Sequence, residues 1–124
     1  AGELEYFLPS AIDLSIEDIA EKVKHYGGLT IPAHIDRAAM SMTSQLGVVT
    51  PGAWDALECV RVPPPGIDTL GYPLISASDA HYPEEVARRP FELDISPEEL
   101  QPKGPGTEAD IEALRRVLNS FYRF

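Results

Sequence analysis

Two of the three histidines in this 124-residue chain stand at the ends of short apolar runs. "GGLTIPAHID" (residues 27–36) runs into His34 and Asp36, and "LISASDAHYP" (residues 74–83) runs into Asp79 and His81. Such groups can hold a metal or move a proton. Imidazole nitrogen with carboxylate oxygen is a hard-to-borderline donor set suited to Zn, Mn or Fe. On extended chain, side chains two residues apart point the same way, so Asp79 and His81 can reach one ion. A lone His after a strand is ordinarily a loop residue. Two such ends together bring the metal-site and loop-histidine readings level.

These side chains need elements to hold them. Ser15 is a good helix N-cap with Asp18 closing a capping box, and Ile16, Ile19, Ala20 and Val23 share one helical face. Gly27 is expected to stop that helix. Short buried strands are expected at 29–33 ("LTIPA"), 56–60 ("ALECV") and 73–78 ("PLISAS"), with a weaker one at 91–95 ("FELDI"). "PPPG" ends the second strand, and "YPEEVARR" reads as one or two helical turns. Residues 37–55 are the least readable, with a short helix expected around Met42 to Leu46 and Trp54 packed beneath it. Residues 102–106 ("PKGPG") read as a linker, after which Thr107 with Asp110 caps a last helix striped by Ile111, Leu114, Leu118 and Phe121. This order suggests α/β architecture with a parallel sheet. In such folds chemistry sits at strand C-termini, where His34, Asp79 and His81 stand.

Composition narrows the function. Twenty acidic against ten basic residues give a formal charge of −10, which disfavours nucleic acid held through its phosphates. A polyanionic substrate is still compatible, because bound cations reverse the field inside one pocket. Cys59 is the only cysteine, so no internal disulfide can form, and a reducing, cytoplasmic setting is expected. The apolar runs are too short for a membrane span. "AGELEYFLPSAIDLS" opens without Met and reads as the start of a fragment of a longer protein.

"IPAHID" resembles the third motif, and "SASDAH" the fourth, of the PHP family, named for polymerase and histidinol phosphatase. The fourth match is the more specific, a buried strand followed by Ser-Asp-Ala-His. The resemblance runs from about Ser15 to Tyr82 and more loosely through the final helix. It implies the C-terminal part of a distorted (β/α)7 barrel, with parallel strands and flanking helices, residues 1–124 forming a partial domain. It implies divalent metals at the strand ends, with His34, Asp79 and His81 as ligands, and hydrolysis of a small phosphoester. The family's first motif, Asp-Leu-His-x-His, is absent, as are the His and Glu ligands that follow it. The metal site in this chain is therefore expected to be incomplete, and the fragment alone inactive. Its expected partners are the N-terminal half of the same domain and, through an unpaired sheet edge, a second copy of the fragment. The alternative is a non-catalytic PHP scaffold or regulatory module.

Other residues carry two readings each. Arg37 could clamp a substrate phosphate through its planar fork, or form a surface salt bridge. Glu58 interrupts an apolar strand and is either a surface residue or a partner behind the metal ligands, since PHP relatives often carry Glu there. Asp36 is best read as a loop cap and Cys59 as a core thiol. His25 suits the last turn of a helix, where the macrodipole favours a cation. Arg88 and Arg89 read as a solvated helix end, and Tyr82 could border a pocket mouth.

Overall fold

Ser15 opens the first helix as its sequence predicts. In the computed structural model, which describes residues 12–102 and 109–120, helix α1 spans Ile16–His25. The Ser15 hydroxyl accepts the Asp18 amide at 3.0 Å, and the Asp18 carboxylate accepts the Ser15 amide in return. Gly27, at φ +78°, turns the chain out of the helix. At Gly28 a Cβ would lie 2.8 Å from Val23 Cγ1, so only glycine permits this close return.

Helix α2 is the short helix expected, Met42–Leu46, capped by Ser41. The Ser41 hydroxyl also donates to the Arg37 carbonyl at 2.8 Å, and the Thr43 hydroxyl donates to the Ile35 carbonyl. The helix thereby holds the 34–41 turn from behind. Met42 packs against the cluster that contains Trp54, whose indole N–H donates to the Thr50 carbonyl at 2.8 Å.

Two strands pair in parallel, β1 (Leu57–Glu58) with β2 (Leu74–Ile75), Leu57 opposite Leu74. Side-chain alternation divides the core between their two faces. On one face Leu57, Cys59 and Leu74 pack with Ala20, Ile35, Val49 and Trp54. On the other, Ala56 and Ile75 pack with Leu118 of helix α3, Ile111–Ser120. Asp110 caps α3 by accepting the Ala113 amide at 2.9 Å. Thr107, Phe121 and the linker beyond Pro102 lie outside the described residues.

The expected (β/α)7 barrel segment is not what the chain forms. The described residues hold only two parallel strands of two residues each, three α-helices and one 3-10 turn, Pro83–Glu85. Proline chemistry explains much of the shortfall. Segment 29–35 does run beside β1: the Thr30 carbonyl accepts the Asp55 amide at 2.9 Å and the Pro32 carbonyl accepts the Glu58 amide at 3.0 Å. Pro32, however, has no N–H to return. A regular parallel ladder would then bring the amide of residue 34 to the Glu58 carbonyl. The Ile35 amide takes that place at 2.8 Å, leaving His34 as an extra residue in a bulge. Segment 91–95 fares no better as a strand. It follows Pro90, and its Ile95 amide turns back to the Leu93 carbonyl.

Helix α3 is fastened by a largely buried ionic network. Arg115 donates through Nε to Asp55 at 2.8 Å and through a terminal nitrogen to the Gly28 carbonyl at 2.6 Å. Its remaining terminal nitrogen meets Glu112. The second Asp55 oxygen accepts the Thr30 amide at 2.8 Å, so this buried carboxylate ties segment 29–35 to the last helix. Removing one partner strands the other charge. Arg115→Ala is expected to lower stability by about 3 kcal/mol in urea unfolding. The exposed neighbour Arg116→Ala should change it by less than about 0.5 kcal/mol.

Candidate functional site

The bulge at His34 and the end of β2 shape the candidate site. His34 has φ 33° and Asp79 has φ 50°, two of five non-glycine residues with positive φ among those described. Asp and His tolerate this region better than most residues, and such conformations gather where surrounding structure enforces them. Asp36 fixes the chain just past the bulge. Its two oxygens accept the Val60 amide at 2.6 Å and the Arg61 amide at 2.9 Å, which is the loop-cap role expected of it.

Arg37, next along, crosses to the second strand end and donates to Asp79 Oδ2 at 2.8 Å. The salt-bridge reading of Arg37 is therefore realised, with its side chain still 41% exposed. His81 is also drawn to Asp79, although not through the carboxylate. Its Nδ1 lies 2.9 Å from the Asp79 main-chain carbonyl. The left-handed turn at Asp79 removes the extended geometry that would have aimed both side chains alike. Both still line one cleft of about 350 Å³, together with Arg37, Val60, Glu85, Arg88 and Arg89.

The 3-10 turn supplies the third wall residue, Glu85. One Glu85 oxygen accepts the His81 amide at 3.0 Å and the other accepts Arg88 at 2.9 Å. The His81 amide, with Arg88 beside it, holds the Glu85 carboxyl below its ordinary range. Arg89 is tethered differently, donating to the carbonyls of Ala77 at 2.8 Å and Ser78 at 3.2 Å. Glu85, Arg88 and Arg89 escaped the sequence reading, in which "YPEEVARR" passed for a solvated helix. The Glu85–Arg88 spacing was the available clue, since residues three apart meet within one turn. Tyr82 is exposed at the N-cap of the 3-10 turn.

His34 stands apart from this cleft. It lines a different, largely apolar cavity of about 500 Å³ with Ile16, Met40, Met42 and Leu46. Among the described residues its buried Nδ1 has no hydrogen-bond partner, and neither does Glu58 Oε1. His25 keeps its expected place in the last turn of α1, edge-on to Tyr26 at 5.1 Å.

The divalent metal implied by the resemblance finds a partial fit. His81 has Nδ1 occupied by a carbonyl, the arrangement that orients metal-binding imidazoles and leaves Nε2 for the ion. Asp79 adds a carboxylate that now serves Arg37. Among the described residues, however, no three His, Cys, Asp or Glu side chains gather where they could hold an ion. Asp79 and His81 come together, and His34 does not join them. Cys59 is no substitute donor, because burial first, then the nearby Asp36 and Glu58 charges, push its thiol up to about 12.

No protein-family model matches the chain, no curated protein matches it, and no solved structure matches it. Among the described residues no helix is long and apolar enough to cross a membrane.

Two outcomes follow from the charges. Because the Glu85 pKa is depressed in the folded state, its contact with His81 should persist at neutral pH. It should be lost only as pH falls below the ordinary carboxylate range. The His81 amide shift, followed by NMR during acidification, should report that low midpoint, and Arg88→Ala should raise it. Cys59 should resist an aromatic disulfide reagent at mildly alkaline pH in the folded chain and react at once when urea is added.

Proposed function

We propose that this chain contributes an incomplete, metal-dependent phosphoesterase site. The observation that carries the reading is the cleft at the end of β2, where Asp79 and His81 stand beside three guanidinium groups in a chain of charge −10. In this reading Asp79 and His81 hold a divalent ion (Zn, Mn or Fe) with donors from outside the described residues. His34, in its separate cavity, stays outside this donor set. When bound, such an ion supplies Lewis acidity toward water and neutralises charge on the phosphoryl group.

The chain's own residues do the rest. Arg37 holds one phosphoryl oxygen once it is released from Asp79. That release is easy, because a partly exposed ion pair is worth only about 0–1 kcal/mol. The Asp79 carbonyl fixes the His81 tautomer. Glu58, whose buried Oε1 has no partner among the described residues, keeps its place in this reading as a polar group behind the metal ligands. A small phosphoester suits the cleft, whose volume of about 350 Å³ is at the lower end for ligand pockets. The cytoplasmic setting expected from the lone Cys59 belongs to the same reading.

A second reading, a non-catalytic scaffold, is favoured by one observation: no three-donor group occurs among the described residues. Metal titration separates the two. The phosphoesterase reading expects weak binding of a single Mn or Zn ion by calorimetry, weakened about tenfold or more by His81→Ala. It also expects no hydrolysis of p-nitrophenyl phosphate by this chain alone. Metal binding that is absent, or indifferent to His81→Ala and Asp79→Ala, would leave the scaffold reading.

A further inference from the structure

The cleft contains more positive charge than a metal site requires. Arg37, Arg88 and Arg89 line it against two carboxylates, Asp79 and Glu85. Three of the chain's ten basic residues thus meet in one small concavity of a strongly acidic protein. The excess of guanidinium over carboxylate charge draws anions to this concavity.

Among the described residues each guanidinium is held by part of its fork and leaves the rest unused. A guanidinium has five N–H donors. Arg37 engages Asp79 through one terminal nitrogen, and Arg88 engages Glu85 in the same way. Arg89 spends Nε and one terminal nitrogen on the Ala77 and Ser78 carbonyls, keeping its other terminal nitrogen. These tethers restrict long side chains before any ligand arrives, which reduces the entropy lost on binding. The tether at Arg89 also holds the stretch leading into Asp79, so that residue has a positioning role as well. Glu85 is in turn held through its other oxygen by the His81 amide, so the Arg88 anchor is itself fixed in place.

We infer that this cleft is a metal-independent receptor for the dianionic phosphate of a small phosphomonoester, gripped by the unused donor edges of Arg37 and Arg88. The inference rests on the phosphoesterase reading for its chemical context and goes further in two respects. It assigns substrate affinity to Arg88, and it makes phosphate binding precede, and not require, the metal. A phosphodiester, with a single charge and two substituents, would use fewer of these donors.

The test is titration of inorganic phosphate into the full chain in chelator-treated buffer of low ionic strength, followed by calorimetry and amide shifts. Saturable binding at one site is expected, with the largest shifts at Arg37, His81 and Arg88. Arg88→Ala should weaken it about tenfold, the loss expected for one charged hydrogen-bonding group. Arg88→Lys should fall between, because lysine keeps the charge without the fork. Arg116→Ala should bind as the parent does. Thermal unfolding of Arg88→Ala should match the parent, since its side chain is 58% exposed and, among the described residues, pairs only with Glu85. Binding that appears only after Mn or Zn is added, or that ignores Arg88→Ala in a folded chain, would overturn the inference. Metal-free phosphate binding without any metal affinity at Asp79 and His81 would sustain it while removing the phosphoesterase reading.

Discussion

One residue of β1, Glu58, governs the geometry around His34 through its main chain. The Glu58 amide takes the Pro32 carbonyl, and the Glu58 carbonyl takes the Ile35 amide. Between those two bonds the chain must place one residue too many for a regular ladder, and His34 is forced to φ 33°. Downstream geometry follows from that clamp. Asp36 falls where both its oxygens meet the amides that leave β1, and Arg37 falls within reach of Asp79. Without the clamp, the 34–37 turn would depend on side-chain contacts alone for its link to β1, chiefly the Asp36 carboxylate on the Val60 and Arg61 amides.

The charged pairs divide by burial into two kinds. Arg115 and Asp55 are largely buried, and their partners include backbone groups from segment 28–30. A pair of that sort holds elements together, because neither charge can leave without stranding the other. Arg37–Asp79 and Arg88–Glu85 sit at the surface of a cleft and exchange partners at small cost. The same chemistry thus braces one end of β1 and stays available at the other.

Short-range features were well written in the residues. The Ser15–Asp18 capping box, the Gly27 stop, the helix at Met42–Leu46 and the Asp36 cap all depend on neighbours a few positions away. The parallel partnership of 57–58 with 74–75 also follows from the apolar runs. The barrel did not follow, since apolar runs report burial and say nothing of ladder length. Pro32, Pro73 and Pro90 remove donors inside or beside the expected strands, and Asp79 and His34 turn left-handed where an extended chain was assumed. Arg88 is exposed as a solvated helix end would be, but its place in the cleft was not legible, for a related reason. "YPEEVARR" has helical composition, yet Val86 is extended and Ala87 has φ 60°, so the helix stops after one 3-10 turn. The candidate site was legible as a set of residue types, and its division into two cavities was not. That division depends on a single bulged residue.

The Arg115 network also bears on the order in which the molecule assembles. Its bond to the Gly28 carbonyl joins positions 87 residues apart, and its bond to Asp55 joins positions 60 apart. Helices α1 and α2 close their own caps over three or four residues and need no such encounter. Loop-closure entropy delays long-range contacts relative to local ones. During synthesis α3 is also the last described element to emerge. Until it docks, Asp55 remains hydrated and the Ala56–Ile75 face stays open to water. The last described helix is therefore expected to dock late, as a latch over Asp55 and the Ala56–Ile75 face, after the local turns have closed.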